Sequence, residues 1–240
     1  MGSVMDSSDF DAQVASVAAL GEPVRRELYR YVVAQPAAIS REQAATGVGV
    51  ARHVAKFHLD KLEEDGLLEA EFRRPPGRTG PGAGRPAKLY RRSNREIAVS
   101  LPERRYDLAG HIMAEAITTA ATSGVAIPEA LRSAATATGR TLGQDATRAA
   151  GSRTSRAASV RAICEVLAAN GYEPRVGEAG ITLANCPFHS LSHDYTDLVC
   201  GMNLDLISGL VETVDGTNLR PRLDPHPGRC CVTVERVKAG

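Results

Sequence analysis

Cys186, His189, Cys200 and the adjacent pair Cys230 and Cys231 are the side chains in this sequence best suited to hold a metal. Cys186 and His189 make a Cys-x-x-His step that can put a thiolate and an imidazole on one ion, and distant cysteines can complete four-coordination, as zinc requires. Three or four thiolates equally suit an iron–sulfur cluster. A free cysteine is otherwise a small buried hydrophobe. That reading fits Cys164, whose helical stripe contains Val160, Ile163 and Leu167. Neighbouring strand residues point to opposite faces, so one of Cys230 and Cys231 is expected to ligate while the other packs. His193 and His226 read as exposed loop histidines. The Cys186 and His189 pair also resembles a nucleophile with its base, but no flanking motif supplies an oxyanion site, so an enzyme is not expected.

A second cluster is cationic. Between Phe72 and Glu96 every charged residue is basic: Arg73, Arg74, Arg78, Arg85, Lys88, Arg91, Arg92 and Arg95. A hairpin so charged repels itself unless an anion lies against it, and a phosphate backbone supplies one through counterion release. Just upstream, Arg52, His53, Lys56 and Phe57 share the helical face opposite Ala55, Leu59 and Leu62. Arg52 and Lys56 can donate to guanine or phosphate, and Phe57 can meet a thymine methyl. The candidate DNA-contacting set is Arg52, His53, Lys56, Phe57, Arg73, Arg74, Arg85, Lys88 and Arg91. The glycine run from Gly77 to Gly84 is not a phosphate cradle, because it precedes a strand and lacks the Gly-Lys-Ser/Thr ending.

The whole chain hides this local charge: its 240 residues carry a formal net charge of +1. Hydrophobic residues at 43% and charged residues at 24% are ordinary globular usage. Apolar runs are too short to span a bilayer, and Asp6 and Asp9 stand where a secretory signal would be basic. Five cysteines, an odd number, then argue for reduced thiols rather than a disulfide framework, and a cytoplasmic location is expected.

Positioning these residues requires an α+β chain in three parts. Residues 1–98 read as a winged helix-turn-helix: an amphipathic helix from Ala15 to Gln35, a short helix capped by Ser40 and Gln43, a glycine turn, a helix from Val50 to Asp65, and a hairpin of Leu67–Phe72 and Lys88–Arg92 joined by a long Gly/Pro-rich tip, Pro75 to Pro86. Residues 99–154 form an Ala-rich helical linker or dimerisation region, interrupted near Gly124 and Pro128. Residues 155–240 read as a small α+β sensor domain: a helix from Ala157 to Asn170, strands Glu173–Glu178 and Gly180–Ala184, a helix from Asp197 to Val214, and a strand from Arg229 to Val237.

The stretch Val50-Ala-Arg-His-Val-Ala-Lys-Phe-His-Leu-Asp-Lys-Leu-Glu-Glu-Asp-Gly-Leu-Leu, with Gly84-Arg-Pro-Ala-Lys-Leu-Tyr, resembles the recognition helix and wing of ArsR-type winged-helix regulators. The resemblance implies a homodimer on imperfect palindromes of double-stranded DNA. Asn185-Cys-Pro-Phe-His, Cys200 and Pro227-Gly-Arg-Cys-Cys-Val are similar to the SufR-like branch of these regulators. That similarity implies a repressor governed by an iron–sulfur cluster. The acidic surroundings associated with that branch are replaced by His189 and Val199-Cys-Gly-Met-Asn, so a cluster and zinc both stay open. So does a C-terminal domain that senses a small molecule or only dimerises.

Overall fold

Pro23 opens a helix instead of lying inside one. The apolar periodicity from Ala15 to Gln35 predicts a single helix, but the structure has α1 (Ser7–Ala19) and α2 (Pro23–Val33). The Glu22 carboxylate accepts from the amides of Val24 and Arg25 at 3.2 and 2.5 Å. A capping acceptor followed by proline at the first helical position is a start signal that overrides continuous periodicity. The computed structural model describes residues 7–73, 86–150, 155–214 and 218–237. Arg74, Arg78, Arg85 and the hairpin tip as far as residue 85 lie outside the described residues.

Contacts divide the chain into two units at Val99 and Ser100. The first continues from α2 through β1 (Ile39–Ser40), α3 (Arg41–Val48), α4 (Arg52–Glu64), β2 (Leu68–Arg73) and β3 (Ala87–Arg92). The expected capping box is present: Gln43 N donates to Ser40 Oγ at 3.2 Å and Ser40 N to Gln43 Oε1 at 2.9 Å. Gly49, at φ 76°, ends α3 in the left-handed region that favours glycine. Leu28, Ala55, Leu59, Leu62, Leu68 and Tyr90 fill the core beneath a three-stranded antiparallel sheet of order β1-β3-β2. Helix, strand, helix, turn, helix and hairpin in this order form a winged helix-turn-helix.

The second unit holds α5 (Tyr106–Ser123), α6 (Ile127–Ala150), α7 (Arg156–Ala169), β4 (Pro174–Val176), β5 (Gly180–Leu183), α8 (His189–Asp194), α9 (Thr196–Thr213), β6 (Leu219–Leu223) and β7 (Val232–Arg236). Its sheet is antiparallel, in the order β4-β5-β7-β6. Two of these elements, α8 and β6, go beyond those expected from sequence. The 99–154 segment shares the unit's core: Ala109, Ile112 and Ala116 of α5 and Leu131, Ala134 and Ala135 of α6 join Met202, Leu206 and Leu210 of α9. The fold is α+β throughout.

Glycine sets how closely α6 and α9 cross. A Cβ on Gly139 would lie 1.9 Å from the Leu206 carbonyl oxygen, and one on Gly209 would lie 2.2 Å from that of Thr136. Backbone cannot yield as a side-chain tip can, so both positions need the bare Cα. No helix among the described residues is long and apolar enough to cross a membrane.

Candidate nucleic-acid interface and cysteine cleft

On α4 the buried residues Ala55, Leu59 and Leu62 fix which side faces out. Arg52, His53, Lys56 and Phe57 lie on the exposed side, as their spacing requires. Phe57 is 65% exposed, an apolar ring presented among cations. Arg52 pairs with Glu42, and Lys56 Nζ lies 2.9 Å from Asp60 Oδ2. Both cations are more than half exposed, so these pairs contribute little and can be exchanged for phosphate. The N-cap of α4 is Ala51, which offers no side-chain acceptor to the first-turn amides. His58, on the flank of the helix, packs beside Glu22 and Arg25.

The hairpin is less self-repelling than its sequence implies. Lys88 Nζ donates to Asp60 Oδ1 at 2.9 Å and to Glu63 Oε2 at 2.5 Å, beneath the Tyr90 ring at 5.1 Å. Arg91 reaches Glu69 at 3.0 Å, and Arg73 reaches Glu71 at 2.6 Å. The carboxylates come from α4 and from the part of β2 preceding the all-basic run, so these three cations are neutralised within the protein and do not repel one another as their sequence implies. Burial acts to raise the Asp60 pKa, but hydrogen bonds from Lys88, Tyr90 and Lys56 outweigh it and hold the carboxyl well below its usual range. Burial acts to lower the Lys88 pKa and is likewise outweighed by Asp60 and Glu63, leaving the ammonium above its ordinary value. Lys88 is thus a strut between hairpin and α4, while Arg73 and Arg91 stay about half exposed.

In the second unit an open cleft of about 400 Å³ is lined by Cys186, His189, Cys200 and Cys231, with His193 and His226 at its wall. Cys186 lies on the loop after β5, and Cys200 lies on α9. Cys230 and Cys231 precede β7, so strand alternation does not decide between them. What separates them is burial: Cys230 is fully buried, pinned by its amide to Leu183 O at 2.9 Å and contacted at its sulfur by Asn203 Nδ2 at 3.2 Å. Cys231 is partly exposed and faces the cleft. Its segment is held by Arg229 Nη2 on Asp224 Oδ2 at 2.5 Å and by Asp224 N on Cys231 O at 2.7 Å.

The four thiols are successive neighbours. A hydrogen bond with Cys230, then burial, pushes the Cys186 thiol up. Cys230 is pushed up to about 11: its contact with Cys186 acts downward, and the contact with Cys231 together with burial prevails. Burial raises Cys200, against a hydrogen bond with Cys231. Burial and then Glu165 raise Cys164, which stands apart on α7. Soft thiol donors gathered in one cleft fit the donor chemistry of zinc or of an iron–sulfur cluster. Among the described residues, however, no three His, Cys, Asp or Glu side chains converge as a metal-holding group. Ligation would require the thiols to deprotonate and draw together. His193 and His226, expected as exposed loop residues, line the cleft, and Asn203, which had no expected role, meets the Cys230 sulfur. The signal for Asn203 was its place one turn beyond Cys200 on the same helix.

A helix-turn-helix domain family matches residues 20–71, from the approach to α2 through most of β2. No curated protein and no solved structure matches the chain. The match and the winged fold together support a DNA-binding transcription regulator of the helix-turn-helix class.

Proposed function

We propose that the chain is a metal-responsive repressor of the ArsR type, akin to its SufR-like branch, acting as a homodimer on a palindromic operator and not as an enzyme. The observation that carries the DNA-binding half is the exposed Phe57 ring set among Arg52, His53 and Lys56 on the outer face of α4. In the major groove such a face offers charged donors to guanine and an apolar contact to thymine. The uncapped amides at the start of α4 suit a phosphate oxygen, and Arg73 and Arg91 reach the flanking backbone.

In this reading Cys186, Cys200 and Cys231 are the leading ligands, with Cys230 or His189 completing the set. Bound iron–sulfur or zinc would supply thiolate bonds linking the loop after β5, the interior of α9 and the segment before β7. The protein's own part is to gather the thiols in one cleft, where the thiols of Cys186, Cys200 and Cys230 are raised above their ordinary pKa and a metal must displace their protons to bind. The test is affinity for a duplex selected from a random pool, measured on anaerobically reconstituted and on chelator-stripped protein. A difference of about 5- to 150-fold is expected for an effector acting through linkage. Equal affinities would remove metal control and leave DNA binding intact.

One observation favours a second reading, a small-molecule sensor. Arg175, Thr182, Arg222 and Thr233 line a groove of about 390 Å³ on the β4-β5-β7-β6 sheet, and the buried Thr233 hydroxyl has no hydrogen-bond partner. Asp224 and Glu235 neutralise Arg222 there, so the groove selects no evident charge. Ligand-dependent DNA affinity in a chain that takes up no metal would favour this reading.

A further inference from the structure

The chain is anchored on either side of the boundary between its two units. In the first unit the Ala98 amide donates to Gln13 Oε1 at 3.0 Å, and Ile97 packs against the core. In the second, the residues leading into α5 run along the loop that carries Cys186. Arg104 Nη1 donates to Asn185 Oδ1 at 2.5 Å and to the Cys186 carbonyl oxygen at 2.8 Å. Asn185 Nδ2 donates in return to Glu103 O at 3.0 Å. The Arg105 amide donates to Pro187 O at 3.1 Å, and the Tyr106 hydroxyl to Ser190 Oγ at 2.9 Å.

This seam has two physical consequences. The Cys186 carbonyl and the buried Asn185 side chain share one guanidinium nitrogen, a charge-assisted arrangement stronger than neutral hydrogen bonds. Only Val99, Ser100, Leu101 and Pro102 separate Ala98 from Glu103. At roughly 3.3 to 3.6 Å of reach per residue, this is a short covalent path from the strap of residues 103–106 to Ala98.

We propose that Arg104 is a positioning residue that ties the backbone of Cys186 to the chain leaving the DNA-binding unit, so that a change of state at Cys186 is transmitted to Val99. The proposal rests on the metal-responsive reading above. Arg104 contacts the Asn185 side chain and the Cys186 carbonyl oxygen, and so acts through the loop. Coupling of this kind requires that the metal-loaded and stripped loops hold the strap differently, which is a measurable difference.

The experiment compares the full-length wild type with Arg104→Ala and Arg104→Lys, each stripped and each reconstituted with zinc or, anaerobically, with ferrous iron and sulfide. Metal stoichiometry, affinity for the selected duplex and amide hydrogen exchange across residues 99–106 are measured on every sample. The expected result is that Arg104→Ala retains the wild-type metal stoichiometry and stripped-state DNA affinity. Its loaded-to-stripped affinity ratio collapses to within about twofold of unity, from the 5- to 150-fold range typical of linkage. The metal-dependent exchange protection of residues 99–106 disappears with it. Arg104→Lys, which keeps a cationic donor, restores part of the ratio and checks that loss of coupling is not loss of folding. A loaded Arg104→Ala chain with the wild-type ratio and protection overturns the proposal while metal control stands. A wild type that takes up no metal, or whose ratio is one, overturns metal control and this proposal together.

Discussion

Lys88 Nζ, on the second strand of the hairpin, lies 2.9 Å from Asp60 Oδ1 on α4, and the Tyr90 hydroxyl reaches the same oxygen at 2.7 Å. Asp60 thereby fastens the hairpin to the helix expected to read DNA. Lys88→Ala should therefore destabilise the first unit by roughly 1 to 2 kcal/mol, because Asp60 and Glu63 lose their shared donor. It should leave the salt dependence of DNA binding unchanged. Arg52→Ala should do the reverse, costing about 1 to 3 kcal/mol of binding with little effect on stability. Denaturant titration and duplex binding at several salt concentrations, run on both variants, check the contrast.

The same pair predicts a pH window. The folded pKa of Asp60 is depressed, so its contribution is present above the ordinary value of 3.8 and is lost as pH falls toward the folded value. The folded pKa of Lys88 is raised, so its contribution is present below 10.5 and is lost only as pH climbs through the folded value. Asp60→Asn should flatten the acid limb of stability below pH 3.8, followed by circular dichroism, and leave the neutral plateau lower. Superimposable acid limbs would show that Asp60 does not carry the effect.

Gly209→Ala should be among the most damaging single-methyl changes in the second unit. Its Cβ would meet the Thr136 carbonyl at 2.2 Å and force α6 and α9 apart. Overpacking of this kind costs about 1 to 3 kcal/mol, sometimes more. Gly201→Ala, on the same helix with nothing within 4 Å of its Cβ, is the control and should be neutral or slightly stabilising. Thermal melts of the two variants separate the outcomes.

Cys186→Ser and Cys231→Ser should abolish or strongly reduce metal uptake, whereas Cys164→Ser should retain it, since Cys164 stands on α7 away from the cleft. Elemental analysis together with visible absorbance of anaerobically reconstituted protein reads this directly. Full metal content in Cys231→Ser would move the ligand assignment to Cys230.

The winged half was largely legible in sequence, because its signals are local. Ser40 and Gln43, Gly49, and the period of Ala55, Leu59 and Leu62 each act within a turn or two of chain. The break between α1 and α2 was also local but was masked by apolar residues that keep their period across Gly21 and Pro23. The pairing of Lys88 with Asp60 was not legible, since residues far apart in sequence meet only when the hairpin folds back onto α4. The cysteine cleft was half legible: residue types picked out Cys186, His189, Cys200 and Cys231, which line it together. The burial that separates Cys230 from Cys231 depends on Asn203 and Leu183, which lie on other elements.

The most direct test of the account is the affinity of the full chain for its selected duplex across a series of salt concentrations. A positively charged helix face and hairpin lying on phosphates predict a linear fall of log K with log salt, by about 0.9 for each phosphate neutralised, and a shallower slope in the double variant Arg52→Ala, Lys56→Ala. The absence of salt-sensitive binding to any duplex, by loaded and stripped protein alike, would contradict the account.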